Sequence, residues 1–190
     1  MKIKEFFSYR NLSHDWIRPL IDSLEAIPDD IFFEKDGLPL KREVTQLDGK
    51  LFELLIEKFG EKVEKDFSPM APENQFKVDF ILQTKPATLI EVEKGKLPRL
   101  ELDLMKIINS IYRYPLEYGY GCLIVPVNYI KLKLAGQKSS YQFVKNNLIP
   151  LNSSILDWKN KDGSFLIKDF VVIGYFDPRG KWDAGKKKII

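Results

Sequence analysis

Three carboxylates in two short apolar runs hold the chemistry this chain could do. Val78-Asp79-Phe80-Ile81-Leu82 and Leu89-Ile90-Glu91-Val92-Glu93 read as strands joined by a proline-centred turn over Gln83–Thr88. Side chains alternate faces along a strand, so Glu91 and Glu93 share one face and Val92 takes the other. Asp79 and Glu91 each lie six positions from Lys85, so a symmetric turn sets them opposite one another. Acids gathered this closely repel unless a cation sits among them. Mg²⁺ suits such a patch, since it takes one or two carboxylates and keeps water and substrate phosphate as its other ligands. Alternating glutamates also suit a solvated sheet face, and the strand alone does not separate the two readings.

Composition narrows what else the chain could do. Among 190 residues there is one cysteine, Cys122, inside the apolar run Cys122-Leu123-Ile124-Val125, where a buried, inert thiol is expected. His14 is the sole histidine. A disulfide framework, a Cys/His zinc site and multi-histidine catalysis are thereby excluded, which leaves carboxylates and lysines. No apolar run is long enough to span a bilayer, and the first residues lack a signal-peptide core. A cytoplasmic protein without a membrane partner is expected. The net charge of +3 divides unevenly: from Asn128 onward 12 Lys and Arg face 5 Asp and Glu, or +7, leaving −4 for the first 127 residues. An acidic front and a basic back suit a metal centre beside a surface that attracts a polyanion. Lys131, Lys133 and Lys138, around Gly136, form a basic loop suited to a phosphate backbone, and Asn128, Tyr129 and Gln137 are placed to reach base edges.

The elements that position these residues follow from periodicity. Helices are predicted over Ser13 to Ala26, interrupted or delayed by Pro19, and from Asp48 through the apolar series Leu51, Phe52, Leu55, Ile56, Phe59 and Val63. A third runs from Arg99 to Arg113, followed by a buried strand from Cys122 to Val127. A short helix over Ser139 to Asn147 and a strand over Phe165 to Phe176 complete a mixed α/β core with one crossover. One domain spans 1–190: a helical part to about residue 66, a core over about 75–130 and a basic part over about 131–190.

The order Val78-Asp79, then Ile90-Glu91-Val92-Glu93 opening into a helix, then a buried strand ending Ile124-Val125-Pro126, resembles the PD-(D/E)xK nuclease core. More narrowly, Glu91-Val92-Glu93, Gly95 and Leu102-Asp103-Leu104-Met105-Lys106 resemble type II restriction endonucleases of the BamHI/BglII/BstYI kind. The resemblance covers about Gln75 to Ile130 and departs from the wider superfamily at Glu93, where lysine is usual, and at Val78, where proline is nominal. It implies a restriction-endonuclease-like mixed central sheet flanked by helices. It also implies Mg²⁺-dependent hydrolysis of double-stranded DNA at a short palindromic site by a homodimer, with one or two Mg²⁺ per site and Mn²⁺ able to substitute. Asp79 and Glu91 are then the metal ligands and Glu93 the group that orients or deprotonates water. Glu53, with Glu57 behind it, is the candidate for a further acid from the preceding helix. Lys106 joins Lys131, Lys133 and Lys138 as a DNA-contacting residue, with Arg113 also in reach of phosphates. A repair, recombination or defence nuclease of the same fold, and a non-catalytic nucleic-acid-binding protein with a vestigial site, are the competing readings.

Overall fold

The computed structural model describes residues 1–37, 40, 44–69, 77–94, 97–128, 139–179, 182–183 and 188–189. A six-stranded mixed sheet with helices on both faces forms its centre. In chain order the elements are β1 (Lys2–Ser8), α1 (Ile17–Glu25), α2 (Thr45–Phe59), β2 (Val63–Phe67), β3 (Val78–Leu82), β4 (Ala87–Val92), α3 (Leu97–Arg113), β5 (Tyr118–Pro126), α4 (Ser140–Phe143), α5 (Ile149–Leu151), α6 (Ser153–Leu156) and β6 (Asp169–Phe176). A two-stranded ribbon, β7 (Trp182–Asp183) with β8 (Lys188–Ile189), follows. Strand order is β1-β6-β5-β4-β3-β2, with β4, β5 and β6 parallel and the outer pairings antiparallel. Among the described residues no helix is long and apolar enough to cross a membrane.

Period-two alternation divides the core into two layers. Phe80, Leu82, Ile90, Val92, Cys122, Ile124, Val171 and Ile173 face α1 and α2, which contribute Leu20, Leu24, Leu47, Leu51 and Leu55. Ile81, Leu89, Leu123, Val125 and Val172 face the other way, against Leu100, Leu104, Ile107, Ile108 and Ile111 of α3 and Tyr141, Val144 and Leu148 of the α4 segment. The central strands are apolar on both faces because both are covered. Gly121 of β5 sits at a close approach between strand and helix. A β-carbon there would lie 2.6 Å from the Phe170 ring and 2.7 Å from Ile107 of α3. Lack of a side chain therefore lets α3 settle directly onto β5, one strand from Glu91.

The predicted third helix and the crossover to β5 are present, with β5 starting earlier, at Tyr118. Other elements differ. The second helix ends at Phe59, and Val63 instead opens β2, an edge strand paired with β3. The N-terminal part is thus not simply helical: it supplies both edge strands, β1 and β2. α1 begins at Ile17, which leaves Pro19 in the first turn, where a missing N–H costs no intrahelical bond. β6 starts at Asp169 because Trp158 to Lys168 forms its own turn, with Lys159 bridging Phe165.

Candidate functional site

The site is built where β4 ends. The ladder pairs Phe80 with Ile90, Ile81 with Leu89 and Leu82 with Thr88, so its centre falls at Lys85 and Asp79 lies one step on, across from Glu91. There the Asp79 carboxylate takes over from the ladder, accepting the Val92 N–H at 2.7 Å. Asp79 is half-buried, whereas Glu91 is only 2% exposed. Alternation sends Glu91 to the same face as Leu89, toward α3.

From α3 come two further charges. The Lys106 ammonium contacts Glu91 Oε1, pairs with Asp103 Oδ1 at 2.9 Å and donates to the Lys77 carbonyl at 3.1 Å. Asp103 and Lys106 are one turn apart, so both reach the sheet end from a single helix face. Burial raises the pKa of Glu91 to about 9, reinforced by Asp79 and Asp103 and only partly opposed by Lys106. Asp103 is raised in the same way, by burial and by Asp79 against the pull of Lys106. Burial lowers Lys106, but Glu91 and Asp103 outweigh it and its pKa stands above the usual lysine value. Of the three acids, Glu91 and Asp103 share the Lys106 ammonium, Asp79 is held by the Val92 N–H, and Arg99 also draws on Asp103.

A second pair closes the opposite side. Lys94, two residues beyond β4, contacts Asp48 Oδ2 of α2, while Asp48 Oδ1 is buried without a hydrogen-bond partner. Burial raises the Asp48 pKa, Lys94 opposes the rise and Asp79 adds to it, so Asp48 lies within electrostatic reach of the site. Lys94 is directed to α2, away from Glu91.

The expected residues divide accordingly. Asp79 and Glu91 are brought together, and Lys106 joins them as an ion-pair partner held inside the site. Glu93 is 3% exposed, with its N–H bonded to the Ile124 carbonyl at 2.9 Å and its own carbonyl accepting the Tyr175 hydroxyl at 3.2 Å. Its charge is felt by Tyr175, on the α1/α2 side. Glu53 is exposed and pairs with Lys50 at 2.8 Å on the helix surface, and Glu57 is exposed as well. The acid that α2 offers to the site is Asp48 instead. Lys131, Lys133 and Lys138, with Tyr129 and Gln137, lie outside the described residues. Asn128 is occupied in a reciprocal pair, donating to the Asp177 carbonyl and accepting its N–H, both at 2.9 Å. Arg113 is exposed at the end of α3. Cys122 is buried with its thiol pKa pushed up by burial, consistent with an inert core residue.

Asp48 and Asp103 carry a signal that periodicity contains. Leu100, Asp103, Ile107 and Ser110 form one buried line along α3, and an acid inside an apolar line is the informative exception. Asp48 likewise follows the buried Leu47 at the start of an apolar stripe.

Among the described residues no three His, Cys, Asp or Glu side chains are gathered to hold one metal ion. The fit of Mg²⁺ rests on the pair Asp79 and Glu91, which meets the one or two carboxylates that ion takes from protein. Hard oxygen donors, and a Glu91 Oε1 that is buried with an ammonium contact but no well-formed hydrogen bond, suit it chemically. No protein-family model matches the chain, and no curated protein matches it.

Proposed function

We propose that this chain is a Mg²⁺-dependent endonuclease that hydrolyses phosphodiester bonds of double-stranded DNA, acting as a homodimer of the type II restriction kind. The observation that carries this reading is the buried Glu91 set across from Asp79 at the end of β4, beside Asp103 and with Lys106 as its ion-pair partner. Burying an acid against two others costs stability, and sites that bear such a cost are enriched in function. Asp79 and Glu91 would hold the metal. When bound, Mg²⁺ lowers the pKa of water and neutralises charge on the phosphoryl oxygens. Asp79 is oriented beforehand by the Val92 N–H, so its position does not depend on a ligand. Asp103 and the Lys77 carbonyl hold the Lys106 ammonium at the same place, where it can meet a phosphate oxygen. Glu93 would have to turn from the Tyr175 side to act on the water, so the metal pair carries more of this reading than Glu93 does.

For the second copy we assign the outward face of α3. Leu102, Met105 and Tyr112 are 48%, 37% and 56% exposed, and with Asn109 they are spaced 3-4-3, the spacing of a helix–helix seam. Met105→Glu should convert dimer to monomer in light scattering; an unchanged mass would remove this face from consideration.

The lysine-paired acids also fit a second reading, a non-catalytic nucleic-acid-binding protein in which the cluster is a structural ion network. Incubation of supercoiled plasmid with the protein and Mg²⁺, beside Asp79→Ala, separates the two. Discrete fragments lost in the variant support restriction-type cleavage, and ragged degradation lost in the variant supports a repair or defence nuclease. DNA binding without cleavage in Mg²⁺ and in Mn²⁺ sinks the enzymatic reading.

A further inference from the structure

The Lys106 ammonium has three oxygen partners, and they are not equivalent. Two are independent of Glu91: Asp103 Oδ1 at 2.9 Å, one turn back on the same helix, and the Lys77 carbonyl at 3.1 Å, at the start of β3. Either would keep the ammonium in place if Glu91 moved. Among the described residues, Lys106 is the cation in contact with Glu91, set against Asp79 and Asp103. Its carboxylate is nearly inaccessible, so the cation that stabilises it must come either from the protein or from a ligand that enters the site. The α3 backbone is held close against β5, where Ile107 meets Gly121, so a move of the ammonium off Glu91 is a side-chain movement and not a shift of the helix.

We propose that Lys106 is the resident counter-ion of this site: it occupies Glu91 until a divalent cation claims that carboxylate, and Asp103 with the Lys77 carbonyl then retains the ammonium beside the cation. The inference rests on the reading of Asp79 and Glu91 as metal ligands and adds a positioning role for Lys106 that DNA contact does not require. Its physical content is competition. A unit positive charge within a few ångström of a divalent ion opposes binding of that ion, strongly so in a partly buried site. Lys106 thereby sets how much free cation the protein needs, and it keeps the acids from repelling one another when none is bound.

The test is titration of the full chain with Mn²⁺ by calorimetry, without DNA. Lys106→Met keeps most of the unbranched side chain and removes the charge, and should bind Mn²⁺ at least about tenfold more tightly than wild type. Lys106→Arg restores the charge and should return the affinity toward the wild-type value. Equal or weaker binding by Lys106→Met overturns the proposal while leaving the metal reading intact. Wild-type protein that binds no Mn²⁺ overturns the metal reading and this proposal with it. Should Lys106→Met fail to fold, crystals of the wild type with and without Mn²⁺ decide. With the ion bound, Lys106 Nζ should leave Glu91 and keep Asp103; a Lys106–Glu91 contact unchanged in the Mn²⁺ form overturns the proposal.

Discussion

Two buried carboxylates in this molecule have opposite environments. Asp169, at the start of β6, is fully buried and surrounded by donors: the Ser8 hydroxyl at 2.6 Å, the Arg10 N–H at 3.0 Å, the Phe170 N–H at 2.8 Å and His14 Nε2 at 3.0 Å. His14 is in turn stacked on Trp16, with ring centroids 5.8 Å apart, so Asp169 helps fasten the segment between β1 and α1 to β6, beside the Tyr9 N–H bond to the Phe170 carbonyl at 2.9 Å. Glu91 is almost as deeply buried, yet it faces two acids and one ammonium. Burial of a charge is tolerated when every lone pair has a donor, and is a cost when it does not. Asp169 therefore reads as part of the framework. Glu91 is the residue whose burial asks for an additional cation.

That contrast can be broken experimentally. The largest effect is expected at the site: Asp79→Ala should reduce Mg²⁺-dependent plasmid cleavage at least about a thousandfold while the circular-dichroism spectrum stays as in wild type. Residual cleavage within tenfold of wild type would remove Asp79 from the mechanism. Next comes the framework acid. Asp169→Ala strands several buried donors and should lower unfolding stability in urea by about 3 kcal/mol or more. A loss below about 1 kcal/mol would show that the network is not what secures the N-terminal segment.

Glu91→Gln should do the reverse of Asp169→Ala. The folded-state pKa of Glu91 is raised to about 9 from an ordinary 4.5, so the folded protein holds a proton that the unfolded chain releases. Its contribution is fully present below about pH 4.5 and is lost as pH rises toward 9. The glutamine variant should be as stable as wild type or more so at pH 8, by on the order of 1 kcal/mol, with a flatter pH dependence over that window. Stability that drops at pH 8 in the variant would mean that the Lys106 pair outweighs the repulsion. The smallest effect is reserved for Glu53→Gln, on an exposed surface pair: activity unchanged and stability within about 0.5 kcal/mol of wild type.

Much of the site's frame was legible because it depends on local rules. The pairing of Asp79 with Glu91 follows from counting around Lys85, and α3 follows from an unbroken apolar stripe. What was not legible depends on long-range partners. β1 carries Lys2, Lys4 and Glu5 and becomes a strand only because β6 presents an edge to it. Val63 continues the helical stripe of α2 in sequence, yet Gly60, with φ of +63°, ends the helix and redirects the chain into β2. The resemblance pointed to Glu53 and Glu57 on the preceding helix and passed over Asp48, because position along a helix does not show the sheet end that Asp48 meets. Periodicity also treated Lys106 as a surface cation, although two acids at β4 and α3 draw its ammonium inward.

The bond from the Val92 N–H to Asp79 Oδ2 divides the labour of one side chain. One oxygen is spent on the architecture of the sheet, and under the proposed function the other would serve the metal, a ligand already aimed before the ion arrives. Asparagine at this position could keep the architectural half, its carbonyl accepting the same N–H, while turning an amide donor toward the reacting centre. A replacement that changes no contour would then invert the polarity of a single point in space. At that atom the fold and the proposed function of the molecule become separable.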